Sequence, residues 1–73
     1  MAEERVRSEM TGKVWKIVTK VGDKVSDGDE IMILESMKME IPVMVDTDGT
    51  IKEFLVGEGD EVTEDQEIAI LET

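Results

Sequence analysis

The chain carries one pattern twice. Gly12 to Glu35 aligns with Gly49 to Glu72 without a gap, at a shift of 49 − 12 = 37 residues. Nine of the 24 paired positions are identical: Gly12/Gly49, Gly22/Gly59, Asp23/Asp60, Val25/Val62, Glu30/Glu67, Ile31/Ile68, Ile33/Ile70, Leu34/Leu71 and Glu35/Glu72. Val14/Ile51, Val18/Leu55 and Ser26/Thr63 are conservative pairs. Two copies are too few for a solenoid, whose continuous core needs three or more stacked units. Two half-units sharing one core is the reading that remains. Between the copies stands Glu35-Ser36-Met37-Lys38-Met39-Glu40, a lysine flanked by two thioethers.

Within each copy the local signals are those of short strands. Lys13 to Lys20 is rich in β-formers but does not alternate strictly, which predicts a bulge or twist. Val21-Gly22-Asp23 and Asp27-Gly28-Asp29 are turn signals around a very short strand at Lys24-Val25-Ser26. Glu30 to Glu35 holds the run Ile31-Met32-Ile33-Leu34, too short for a globular helix, and reads as a strand buried on both faces. Met39, Ile41, Val43 and Val45 alternate with Glu40, Pro42, Met44 and Asp46, a period-two strand with one apolar face. Pro42 cannot donate to a ladder, so this strand lies at an edge or uses Pro42 where its nitrogen faces away. Asp48-Gly49 predicts a hairpin with a type I′ turn. The second copy predicts strands at Thr50–Val56, Glu61–Val62 and Glu67–Glu72. Arg5 to Met10 is a further short strand, and residues 1–4 are expected to be frayed. No segment has a helical period. The expectation is an all-β fold, a single domain over residues 1–73, with two small antiparallel sheets packed face to face. Core candidates are Ile31, Ile33, Leu34, Ile41, Val43, Val45, Ile68, Ile70 and Leu71; Gly12, Gly22, Gly49 and Gly59 are read as turn geometry.

At 73 residues the chain is near the lower limit for a self-supporting core, and it contains no Cys and no His. Disulfides are therefore excluded and the usual zinc ligands are missing. The net charge of −11 argues against nucleic acid and against anionic membrane surfaces, which are bound through clustered Lys and Arg. No apolar run spans a bilayer, and the first residues are charged where a signal peptide would be apolar, so a cytoplasmic protein is expected. Without His, no Ser or Cys triad can be assembled. Asp46-Thr47-Asp48-Gly49 lacks the spacing of a calcium loop, and Gly57-Glu58-Gly59 is followed by acidic residues that repel phosphate.

Lys38 is the remaining chemical handle. It falls in the tight turn between two good strands, where its long side chain projects into solvent from a rigid scaffold. An ε-ammonium is a poor nucleophile at neutral pH, and becomes useful when another protein deprotonates it and presents an activated acyl group. A flexible lysine is a natural attachment point for a carried group.

Glu35-Ser36-Met37-Lys38-Met39 resembles the attachment motif of biotinyl domains, usually Glu-Ala-Met-Lys-Met. Gly12-x-Val14, Val21-Gly22-Asp23-x-Val25, Asp48-Gly49-Thr50-Ile51 and Glu58-Gly59-Asp60-x-Val62 also stand where biotinyl domains have them, so the resemblance runs from about Arg5 to the C-terminus. It implies a flattened β-barrel of two four-stranded antiparallel sheets with quasi-twofold symmetry and a modified lysine on a hairpin tip. It further implies biotin joined to Lys38 by a biotin protein ligase. The group would be carboxylated on a biotin carboxylase and discharged on a carboxyltransferase, so the domain is a carrier and not a catalyst. Lys38 is the attachment residue by this match, with Glu35, Ser36, Met37 and Met39 completing the motif that the ligase recognises. No segment is inserted between Trp15 and Gly22, where the bacterial acetyl-CoA carboxylase carrier has its thumb; the chain is similar to the small free-standing biotin/lipoyl attachment proteins, expected to be monomeric when isolated. Lipoyl domains share the fold, but their lysine usually follows Asp and precedes Ala, so the two Met favour biotin over lipoate. An unmodified domain that binds a partner through its acidic surface is the reading from a different class.

Overall fold

The computed structural model describes residues 2–73. They form eight strands: β1 (Glu3–Arg7), β2 (Gly12–Ile17), β3 (Lys24–Val25), β4 (Glu30–Ser36), β5 (Met39–Met44), β6 (Gly49–Phe54), β7 (Glu61–Val62) and β8 (Glu67–Glu72), with no helix among the described residues. Two four-stranded sheets result, in the orders β5-β4-β2-β7 and β1-β8-β6-β3, and every pairing is antiparallel.

The repeat dictates this arrangement strand by strand. Adding 37 to the limits of β2 and β3 gives those of β6 and β7, and β1 lies 37 residues before the body of β5. The copies are interleaved. β7, from the second copy, pairs with β2; β3, from the first, pairs with β6. Neither copy can therefore close a core alone. The buried cluster draws Val14, Val25, Ile31, Met32 and Leu34 from one copy and Ile51, Val62, Ile68, Ala69 and Leu71 from the other. Burying each such Ile or Leu contributes about 1.5–3 kcal/mol relative to exposure, which is how a chain without disulfides holds together.

The irregularities repeat as well. The β2–β4 register shifts between Val14 and Lys16, and the β6–β8 register shifts between Ile51 and Glu53. These bulges set Trp15 and Lys16 on the outer face opposite Ile33, and Lys52 and Glu53 on the outer face opposite Ile70. Where the chain crosses between sheets, Val45 N–H donates to the Asp29 carbonyl (3.0 Å) and the Val45 carbonyl accepts from Gly28 N–H (2.8 Å). Ser8, 37 residues earlier, makes the same pair of bonds with Gln66 (2.8 Å) and Asp65 (2.7 Å). Ser8 is fully buried at the place of a valine. Its hydroxyl is satisfied locally, donating to the Met10 carbonyl at 2.6 Å and accepting from Met10 N–H at 3.3 Å.

Several expectations need correction. Asp48-Gly49 is not a type I′ hairpin: neither residue has positive φ, β5 and β6 lie in different sheets, and Gly49 opens β6. The glycine there answers to close packing, because a Cβ on Gly49 would stand 2.9 Å from the Glu72 carbonyl oxygen. Gly12 is its counterpart; only Gly22 and Gly59 of the four have the positive φ of turn geometry. Fraying over residues 1–4 gives way to strand at Glu3 and Glu4. Ala2 is also tied to Thr73 by backbone bonds of 3.3 and 2.8 Å; Met1 lies outside the described residues. The strand expected over Arg5–Met10 ends at Arg7, because the chain turns across at Ser8. Of the core candidates, Ile33, Ile41 and Val43 are half-buried, Ile33 on the outer face of its sheet. The bulge expected in Lys13–Lys20 and the edge position of the Pro42 strand are both present.

Candidate functional site

Lys38 sits in the two-residue loop between β4 and β5, whose last register pair is Ser36↔Met39. Both loop residues are left-handed, Met37 at φ 52° and Lys38 at φ 66°. This is the type I′ pattern, whose twist matches that of the flanking strands and which ordinarily calls on Asn and Gly. A side chain in that region costs about 1–2 kcal/mol per residue. The strain is held by the ladder behind it, which pairs β4 with β5 from Glu30↔Met44 to the tip. The loop length favours this solution, because in a two-residue connection an unprimed turn would splay the strands.

The base of the hairpin is braced from β2. A Cβ on Gly12 would stand 2.8 Å from the Glu35 carbonyl oxygen, so the β2 backbone presses against β4 two residues before the turn. The tip is therefore rigid in its backbone while its side chains are open. Met37 is 89% exposed and Met39 58%, and Lys38 is exposed between them. Lys38 takes part in no salt bridge among the described residues. Apolar thioethers held in water beside a primary amine suit recognition by another protein better than they suit this fold's core.

All five residues singled out in the sequence thus lie on one hairpin. Met37 and Lys38 form the turn, Ser36 and Met39 its closing pair, and Glu35 the next pair with Glu40. A primary amine exposed at a rigid tip meets the requirement for covalent attachment of a carried acid through an amide. The hairpin thus presents one exposed lysine between two exposed thioethers.

Comparison with known proteins agrees. The family described as "Biotin-requiring enzyme", a biotin/lipoyl family, matches residues 4–71. A biotin/lipoyl attachment protein of Bacillus subtilis is 49% identical over 59 residues, 81% of either chain. A biotinylated protein TB7.3 homolog of Mycobacterium leprae is 39% identical over 71 residues, covering 97% of this chain and 99% of that one. Among solved structures, Kluyveromyces lactis urea carboxylase superposes with a TM-score of 0.90 at 37% identity, over 97% of this chain but 6% of the enzyme. The chain belongs to the biotin/lipoyl attachment family. It is a non-catalytic carrier domain of the kind that serves biotin-dependent carboxylases, and biotin is the group that the family's description and the relatives' names carry.

Proposed function

We propose that Lys38 Nζ is the attachment point, that a biotin protein ligase loads it, and that the loaded domain serves a biotin carboxylase and a carboxyltransferase in turn. The observation that carries this is the left-handed Met37-Lys38 turn, which offers one exposed amine between two exposed thioethers. In the loading step Nζ gives its proton to a base of the ligase, attacks the activated acyl carbon and displaces the adenylate derived from ATP. The new bond is an amide. Biotin held there supplies a ring nitrogen that accepts and releases a carboxyl group. The protein's own part is to hold the amine clear of its surface and to raise its effective concentration at successive active sites. Met37 and Met39 are the ligase's apolar handles, with Glu35 and Ser36 completing the recognised motif. The reading takes residues 1–73 as one domain, monomeric when isolated and cytoplasmic.

The test is the intact mass after incubation with a biotin protein ligase, ATP and biotin, alongside Lys38→Arg. One biotinyl group is expected on the wild type and none on the variant, because a guanidinium cannot be acylated in this way. A folded wild type that takes up no biotin but accepts a lipoyl group from a lipoyl ligase would move the reading to lipoate. If neither is added, the acidic interaction domain becomes the better account.

A further inference from the structure

The two outer faces of the molecule carry equivalent positions with different chemistry. On the β1-β8-β6-β3 face, Ile70 is only 6% exposed. Ion pairs lace the strands on that face: Arg5 and Arg7 with Glu67 at 3.2 and 3.1 Å, and Lys52 with Glu3. On the β5-β4-β2-β7 face the equivalent Ile33 is half-buried, and no salt bridge is present among the described residues. The place of Lys52 is taken by Trp15 (52 − 37 = 15), which is 47% exposed. Pro42 and Met44 of the edge strand are exposed on this face too.

The same substitution leaves charge uncompensated. Glu3 and Glu72 are opposite one another in register, and Lys52 bonds Glu3. Glu40 and Glu35 are opposite one another in the same way beside the lysine hairpin, where Trp15 brings no positive charge. Lys13 stands opposite Glu35 in register but makes no salt bridge with it. Like charges directly opposite are unfavourable unless a cation intervenes. This face thus offers an apolar centre with the exposed Lys16 beside it, and, nearer the hairpin, an acidic pair that Lys13 adjoins without an ion pair, all on the sheet that bears Lys38.

We infer that the Trp15 face is the docking surface for the enzyme that acylates Lys38, which meets it with an apolar pocket for the indole and cationic side chains for Glu35 and Glu40. The inference rests on the attachment reading above. Three observations select this occupant. The face is continuous with the hairpin: Trp15 lies level with the Leu34–Ile33 rows, three to four residues from the tip, or about 12 Å at about 3.3 Å per residue. Its acidic pair calls for a basic partner, as does the net charge of −11. And before loading, the amine reaches only one side-chain length from a rigid turn, so the acylating enzyme must press against the sheet behind it; after loading, the longer arm lets later enzymes stay farther off.

The experiment measures kcat and KM for biotin transfer by a biotin protein ligase to the wild type, Trp15→Ser, Trp15→Phe and Lys52→Ser, with thermal melts to establish folding. Lys52→Ser changes the equivalent position on the other face. Trp15→Ser is expected to raise KM about tenfold with kcat nearly unchanged, Trp15→Phe to recover most of the loss, and Lys52→Ser to stay within twofold of wild type. A folded Trp15→Ser with wild-type KM overturns the docking surface while leaving the attachment reading intact, and so does a Lys52→Ser that loses as much. A wild type that is not loaded at all overturns the attachment reading itself, and this inference with it.

Discussion

Ser36 and Met39 close the lysine hairpin at one end of the molecule; Thr73 and Ala2 occupy the equivalent positions at the other (36 + 37 = 73, 39 − 37 = 2). Behind both pairs the construction is the same. A glycine, Gly12 or Gly49, packs against the carbonyl of a glutamate, Glu35 or Glu72. A glutamate pair follows, and then an outward isoleucine opposite a two-residue bulge. What differs is the join. At one end two left-handed residues link the strands covalently and carry the amine, whereas at the other β1 and β8 lie side by side through backbone bonds. Scaffold and proposed site are thus separable: the repeated residues build both ends, and unrepeated ones, Met37, Lys38 and Trp15, distinguish the end proposed for attachment.

The largest effects test whether the halves share one core. Ile31→Ala and Ile68→Ala remove equivalent, fully buried side chains and are each expected to cost about 3 kcal/mol. A domain of this size has about 4–11 kcal/mol in all. Denaturant titration of each should show one transition displaced by a similar amount. Two transitions, or a variant in which half the signal persists at the wild-type midpoint, would mean that the copies fold separately. Next come the glycines. Gly12→Ala and Gly49→Ala put a Cβ 2.8 and 2.9 Å from backbone carbonyl oxygens that cannot move without shifting a strand. Each is expected to lose about 2 kcal/mol. Only Gly12→Ala should also slow loading of Lys38, by disturbing the base of its hairpin.

Much of this was legible because a repeat constrains twice. The order of the strands and the lysine turn followed from the 37-residue shift and from period-two alternation, the bulge from broken alternation, and the edge position from the donor that Pro42 lacks, whereas strand limits such as those of Arg5–Met10 and Thr50–Val56 did not. The failures share a cause. Asp48-Gly49 has the local chemistry of a primed turn, but its flanking strands belong to different sheets, and local propensity does not see the partner. The primed turn formed instead at Met37-Lys38, where composition argues against it and strand pairing demands it. Ser8 could be assigned to the core only through its counterpart Val45. Trp15 counts in the sequence only as one of the β-formers of Lys13–Lys20; the signal for its exposure is its alignment with Lys52, an apolar residue standing where the other copy is charged.

A smaller effect of opposite sign is expected at the hairpin. Met37→Gly relieves a left-handed side chain at φ 52° and should stabilise the fold by up to about 1 kcal/mol, read as a raised denaturant midpoint. It should also lower the rate of loading, since it deletes an apolar handle that is 89% exposed. Stability and recognition then move in opposite directions at one residue, the signature of strain retained for function. Loss of stability on this change would show that the Met37 side chain contributes packing that outweighs the backbone term.

The smallest effect is the most specific to the difference between faces. The Lys52 ammonium, bonded to Glu3, holds the Glu3 carboxyl below its ordinary range, and Glu3 in turn raises Lys52. A carboxyl depressed in the folded state adds stability above its unfolded pKa, near about 4.3, and that increment is lost as pH falls through the folded value. A raised lysine adds stability below its unfolded pKa, near about 10.4, and loses it as pH rises through the folded value. The pair therefore supports the β1-β8-β6-β3 sheet across the neutral range and fails at both extremes. Both groups are at the surface, so salt screens the effect. Glu3→Gln should lower the melting temperature slightly at pH 7 in low salt, with the gap to wild type narrowing as pH falls below the ordinary carboxylate range and in high salt. Trp15→Lys places an ammonium at the equivalent position beside Glu40 and should give the other face the same pH- and salt-dependent increment. A Trp15→Lys protein that melts like wild type in low and high salt alike would show that the two faces differ in backbone geometry as well as in side chains.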